Sequence, residues 1–258
     1  MEVNMTKFWN FKAKDEKTGE LTLYGDISNS TWWGDEITPQ DFKKDLDALG
    51  EIANLNIFIN SGGGDVFAGQ AIHSMLRRHA AYKTVYIDGI AASIASVIAM
   101  AGDKIIMPKN AMMMIHKAWT MMAGNADKMR KMADDMDKID ESIVSTYEAK
   151  TGLKPDEIIE FMTAEKWMTA EEAVKNGFAD EIEQEKKIAA SLDGSFLVVN
   201  DQKIDLDRYF NKPKIEEYIP ETNVNGEETQ PTTDKTDPEI MKNQKTRFEQ
   251  LKNKLKIQ

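Results

Sequence analysis

Ser93 stands among small residues in Asp88-Gly-Ile-Ala-Ala-Ser93-Ile-Ala-Ser-Val-Ile-Ala-Met100. A serine hydroxyl becomes a nucleophile when a base takes its proton and nearby donors hold the negative charge that follows. The β-branched and aromatic run Lys83–Asp88 before it predicts a strand. Gly89, Ala91 and Ala92 allow a tight turn and close backbone approach. The apolar residues after Ser93 predict a buried helix whose first N–H groups face back toward the serine. Small residues before a buried helix serve packing as well, so a partner has to be sought. Of the three histidines, His73 and His79 fall on a predicted helix, whereas His116 ends the apolar run Ala111–Ile115 and is the candidate base. A third feature is Asn60-Ser-Gly-Gly-Gly64, whose glycines can expose N–H groups to a ligand oxygen or simply form a flexible turn. No Lys-Ser or Lys-Thr pair follows it and its spacing misses the dinucleotide fingerprint, which argues against a nucleotide site. Two successive strand-turn-helix units with small residues at the same end of a sheet point to one site.

The elements that must position these residues are legible as alternations of period. Leu21–Ile27, Leu55–Asn60, Lys104–Met107, Ala111–Ile115 and Phe178–Ile182 predict strands. Thr38-Pro39-Gln40-Asp41 gives an N-cap, a proline at the first helical position and an acid three residues after the cap, with Phe42, Leu46 and Leu49 on one face. Ala71, Ile72, Met75 and Leu76 mark a second helix, and Asp156–Met162 another. Met121 to Lys150 reads as one long amphipathic helix through Met129, Met132, Met136, Ile139, Ile143 and Tyr147. With sixteen methionines in the chain, these predict core packing or a subunit contact. Thr169-Ala-Glu-Glu172 forms a capping box, and Gly177 closes that helix. Strand-helix alternation of this kind predicts an α/β fold with a mainly parallel sheet. Trp32 and Trp33 sit in a polar loop where they line a groove or cover the sheet. Beyond Glu183 the pattern weakens: 195–199 and 203–209 can pair as a hairpin, 217–236 has linker composition, and Pro238–Gln258 can form a short helix for a partner or for self-association.

Composition narrows the function. With 33 Lys and Arg against 44 Asp and Glu in 258 residues, the net charge of -11 argues against nucleic acid as a partner. The absence of cysteine excludes disulfides and thiol catalysis, and no ligand-spaced histidine pair suggests a metal or other cofactor. The polar, acidic N-terminus lacks a secretory core, and no apolar run reaches the roughly 20 residues needed to span a bilayer, so a soluble cytoplasmic protein is expected.

Four motifs in order, Asn60-Ser-Gly-Gly-Gly64, Gly89-Ile-Ala-Ala-Ser93, Met114-Ile-His116 and Trp167–Asp180, resemble the Clp protease proteolytic subunit family. Tyr24-Gly-Asp-Ile27 and Trp33-Gly-Asp-Glu-Ile-Thr38 are similar to its bacteriophage branch, associated with prohead or head maturation. The resemblance implies repeated β-β-α units of the Clp protease and crotonase type, a mainly parallel sheet and a long handle helix, here with a C-terminal extension. The resemblance covers roughly Leu21 to Ile182; with the pattern and composition of the rest, the chain divides into a serine protease domain at 1–188, a small β extension at 189–216, a linker at 217–237 and a helical segment at 238–258. The resemblance implies Ser93 as nucleophile, His116 as general base, and the backbone N–H groups of Gly64 and Ile94 as oxyanion donors, with Gly62, Gly63 and Gly64 beside an extended peptide. The family's third member is usually Asp; Glu165 holds that position, with Asp156 or Glu160 as alternatives. Where the family has proline before its glycine pair this chain has Gly62, which predicts a looser loop. The implied partners are protein substrates, among them phage capsid or scaffold proteins, and copies of the chain in stacked rings; delivery by an AAA+ unfoldase is left open. A phage protein of this kind would act in the host cytoplasm or on the procapsid. Competing readings are a catalytically weak assembly scaffold and a crotonase-type acyl-CoA enzyme; the Ser93–His116 pair argues against both.

Overall fold

The computed structural model describes residues 7–28, 38–183, 190–193, 196–199, 202–209 and 211–212. All lie in one compact unit, Met1–Tyr218, and the second unit, Ile219–Gln258, falls outside them. Trp32, Trp33 and the expected linker and terminal helix are likewise outside the described residues.

The elements in chain order are β1 (Trp9–Ala13), β2 (Thr18–Tyr24), α1 (Pro39–Asp47), β3 (Asn54–Ser61), α2 (Val66–Arg78), β4 (Tyr82–Ala92), α3 (Ile94–Ala99), β5 (Lys104–Pro108) and β6 (Met112–Ile115). Then come α4 (Ala126–Thr151), α5 (Pro155–Thr163), β7 (Lys166–Thr169), α6 (Ala170–Lys175), β8 (Glu181–Glu183), β9 (Ala190–Asp193), β10 (Phe196–Val199) and β11 (Gln202–Asp205). An eight-stranded sheet runs β1-β2-β3-β4-β5-β8, with β6 paired to β4 and to β7. The pairs β2–β3, β3–β4, β4–β5, β4–β6 and β5–β8 are parallel; β1–β2 and β6–β7 are antiparallel. The mainly parallel α/β sheet is thus as the alternation predicts, with β1 an antiparallel edge strand that the sequence pattern does not announce.

Local signals explain the elements. Thr38 caps α1 in a reciprocal box with Asp41, and Thr169 does the same for α6 with Glu172. Gly152 and Gly177 take positive φ just past α4 and α6. In β2 and β3, Leu21, Leu23, Leu55, Ile57 and Ile59 alternate into the core at 1% exposure or less, each contributing roughly 1.5–3 kcal/mol by burial. The long helix corrects one expectation: it begins at Ala126 behind the Asn125 cap, so 121–125 is not helical. Only its second half reaches the core, through Ile139, Ile143, Val144 and Tyr147, while Met121, Met122 and Met129 are exposed.

β4 organises the site because it changes partners along its length. Thr84–Tyr86 pairs with Lys104–Ile106 of β5, whereas Ile90–Ala92 pairs with Met112–Met114 of β6. Ala91 and Met113 face the main core. Ile90, Ala92 and Met114 face a second cluster closed by Trp167, Ile204, Leu206 and Tyr209. Of these, Trp167 belongs to β7, Ile204 to β11 at the edge of the antiparallel sheet β11-β10-β9, and Leu206 to the 3-10 turn Leu206–Arg208, with Tyr209 just after it. β10 and β11 pair antiparallel, Val199 opposite Gln202, within the stretch where a hairpin is expected. Among the described residues, no helix is long and apolar enough to cross a membrane.

Candidate active site

Three strand ends converge by register alone. Ala92 lies opposite Met114, so Ser93 emerges beside the residues that lead to His116. Ile115 lies opposite Lys166, so the next pair outward is His116 and Glu165. On the other flank Ser61 lies opposite Ala91, which sets Gly62–Gly64 along Ala92 and Ser93.

Ser93 has φ 55 and ψ -131, a conformation a non-glycine residue takes at a cost of about 1–3 kcal/mol. Its N–H donates to the Met114 carbonyl at 2.9 Å, extending the ladder by one residue, and its carbonyl accepts from the Ser96 hydroxyl at 2.5 Å. Ser96 therefore accepts from the buried Tyr147 hydroxyl, 2.8 Å away, which links α4 to the turn that holds the serine. The hydroxyl of Ser93 lies 2.7 Å from Nε2 of His116. On the far side of the ring, Nδ1 lies 3.7 Å from Oε1 of Glu165, an electrostatic contact too long for a hydrogen bond. A proton on Nδ1, facing that carboxylate, leaves Nε2 free to accept from Ser93. Burial holds the His116 pKa below the ordinary imidazole value; Glu165 opposes that shift and the positive charge of Arg208 adds to it. The ring is thereby neutral, and so basic, at neutral pH.

Glu165 adopts φ 47, again in the left-handed region, and its Oε2 accepts the Asn211 N–H at 2.5 Å. Among the described residues it is the carboxylate paired with His116, whereas Asp156 and Glu160 are exposed on α5. Gly64 lines the cleft beside Ser93, and Ile94 opens α3 at the position whose N–H has no intrahelical acceptor.

The glycine run is tied down rather than loose, which corrects the expectation drawn from Gly62. The Gly62 carbonyl accepts from Tyr209 Oη at 2.6 Å, Ile27 N–H donates to the Gly63 carbonyl at 2.8 Å, and Asp65 N–H donates to the Ile27 carbonyl at 2.7 Å. Glycine is required at 63, where φ is 95 and a Cβ would stand 2.6 Å from the Ser93 Cβ. It is equally required at 64, where φ is 148 and a Cβ would strike the Ile27 carbonyl oxygen. The cleft in front of Ser93 has a volume of about 210 Å³, with Gly62, Gly64, Val66, His116 and Tyr209 in its walls. Among the described residues there is no cluster of three or more metal-ligating side chains.

The structure thus brings together Ser93, His116, Glu165 and the glycine run. Sequence reasoning missed Tyr209, Arg208 and Asn211, which lie far along the chain behind a weak pattern. It also missed Ser96, for which a signal existed: a lone hydroxyl one turn past Ser93 in an apolar helix.

The Clp protease family profile matches residues 43–186. The ATP-dependent Clp protease proteolytic subunit of Deinococcus radiodurans is 31% identical over 140 residues, 53% of this chain and 68% of that protein. The corresponding subunit of Bacteroides fragilis is 29% identical over 140 residues, 53% of this chain and 67% of that one. Proteolytic subunit 3 of Streptomyces coelicolor is 29% identical over 142 residues, 54% of this chain and 65% of that protein. The chain therefore spans about two-thirds of each relative's length. Residues 43–186 make up more than half of this chain and hold every element from the middle of α1 to β8, so the chain belongs to the Clp protease family.

Proposed function

We propose that this protein is a serine endopeptidase acting through an acyl-enzyme. The observation that carries the reading is the 2.7 Å contact between Ser93 Oγ and His116 Nε2, held on a strained turn at the floor of a cleft. Ser93 attacks the peptide carbonyl carbon while His116 takes the hydroxyl proton, and His116 then gives that proton to the departing amine. Water, activated by the same imidazole, releases the acyl group and restores the serine. The N–H groups of Gly64 and Ile94 receive the oxyanion, an effect worth about 3–4 kcal/mol for a donor of this kind. Glu165 keeps the imidazole tautomer and stabilises its charged form through space, at 3.7 Å.

The likeness of Tyr24–Ile27 and Trp33–Thr38 to the bacteriophage branch supports phage capsid or scaffold proteins as substrates, during head maturation. The exposed first half of α4, with Met129 at 50% exposure, supports its use as a handle between copies of the chain in stacked rings. The test is a fluorophosphonate probe applied to the purified full chain beside Ser93→Ala and His116→Ala, with labelled peptides located by mass. Labelling at Ser93 that is lost in both variants is the expected result. A folded, assembled protein that takes no label would favour the scaffold reading instead.

A further inference from the structure

Residues beyond the span that matches the family build one side of this site. Tyr209 gives its hydroxyl to the Gly62 carbonyl at 2.6 Å in a buried contact. Its ring stands edge-on to His116 at 5.9 Å and to Trp167 at 5.4 Å between centroids. Gly62 is shaped to this partner: a Cβ there would meet Ile204 Cγ2 at 3.0 Å and Tyr209 Oη at 3.3 Å. Two residues on, Asn211 donates its N–H to Glu165 at 2.5 Å and its side-chain amide to the Ala164 carbonyl at 2.9 Å. One residue back, Arg208 pairs with Asp26 at 2.9 Å, next to the Ile27 that holds Gly63 and Asp65. Tyr209 and Asn211 between them thus touch the glycine run, the histidine and the carboxylate. They leave the Ser93–His116 contact intact and the cleft before it open, so they wall the site without plugging it.

We infer that Tyr209 is a positioning residue: its hydroxyl sets the glycine run that receives the oxyanion, while Asn211 sets Glu165. The inference rests on the endopeptidase reading. It explains how a chain with glycine at 62 keeps an ordered loop, since a hydrogen bond to the carbonyl supplies the restraint a proline ring would otherwise give.

The test uses the full chain and Tyr209→Phe, which keeps the ring and removes only the hydroxyl. Two quantities are read: the rate of fluorophosphonate labelling at Ser93 across pH, and hydrogen-deuterium exchange at Gly62–Gly64. The labelling rate should fall about five- to tenfold with its acid limb unmoved, because the hydroxyl acts on the loop and not on the imidazole charge. Exchange at the glycine run should accelerate while that of β3 and β4 stays as it was. A labelling rate that is unchanged, even with a lower unfolding midpoint, overturns the inference and leaves Tyr209 a packing residue. A rate that rises overturns it too, by showing a lid. If the unaltered chain takes no label, the endopeptidase reading fails, and with it the positioning role; the exchange measurement then still decides whether the hydroxyl orders the loop.

Discussion

At the scale of single residues, the imidazole of His116 is poised by opposing influences that can be removed one at a time. The labelling rate at Ser93 should rise with pH as His116 loses its proton and level off above that point. Glu165 favours the charged ring, so Glu165→Gln should move the rise to lower pH. It should also lower the plateau by roughly tenfold, as the wrong tautomer becomes populated. Arg208 disfavours the charged ring, so Arg208→Gln should move the rise to higher pH. Opposite displacements in the two variants, read from labelling rates between mildly acidic and mildly basic pH, check the assignment; displacements of the same sign would contradict it. The glycine run supplies a second expectation. Gly63→Ala forces a Cβ to within 2.6 Å of the Ser93 Cβ at a φ of 95, so it should cost about 2–4 kcal/mol by denaturant unfolding and abolish labelling. At Gly50, also at positive φ, no heavy atom lies within 4 Å of an added Cβ, so the alanine variant there should cost about 1–2 kcal/mol of backbone strain and leave labelling intact.

At the scale of elements, the turn that presents Ser93 is braced from α4, through Tyr147 and Ser96. Tyr147→Phe keeps the buried ring and removes the donor. Ser96 retains its own bond to the Ser93 carbonyl, so the expected cost is about 1 kcal/mol by denaturant unfolding, with a few-fold loss of labelling rate. A larger loss of rate than of stability would mark the brace as part of the positioning of Ser93. This coupling is invisible in sequence because it depends on which helix crosses the turn, and Tyr147 is 51 residues from Ser96. What was legible is local. The caps at Thr38 and Thr169, the strand alternation of Leu21, Leu23, Leu55, Ile57 and Ile59, and the glycines past α4 and α6 each follow from a few neighbouring residues. Ser93, His116 and the glycine run were legible for the same reason, each sitting where a strand pattern stops. Glu165 is legible only through the family resemblance, since its place opposite His116 is set by the antiparallel register of β6 and β7. The start of α4 is not legible this way, because apolar periodicity carries on through Met121 and Met122, whereas the Asn125 side chain caps the helix by accepting the Lys128 N–H.

For the whole molecule, the same burial that keeps His116 neutral makes the fold sensitive to acid. His116, His73 and His79 all have pKa values lowered from 6.5, each chiefly by burial, and that of His73 falls to about 4. Below pH 6.5 the unfolded chain takes up protons on these rings before the folded chain does, so stability falls as pH falls, until the folded rings protonate as well. The loss therefore belongs to the window between pH 6.5 and about 4, set at its lower end by His73. It precedes the window of Asp41, Asp45 and Asp103, whose carboxyls are held below 3.8 by backbone and lysine partners and whose stabilisation goes only in stronger acid. Asp140 runs the other way: burial raises its pKa, so the folded state takes up that proton first and offsets part of the histidine loss. Unfolding free energies from urea titrations between pH 7.5 and 4.5 should accordingly decline, with a slope below about 1.4 kcal/mol per pH unit for each ring, because His73 and His79 retain some contact with water. His73→Gln lies outside the proposed site and should make that decline shallower across the window from pH 6.5 to about 4 while leaving labelling at Ser93 unchanged at neutral pH. A decline equally steep in that variant would place the acid sensitivity in other groups. If it is flattened as expected, the slope that remains below pH 6.5 would belong to His79 and to His116 itself, tying the stability of the fold to the protonation state that the proposed reaction needs.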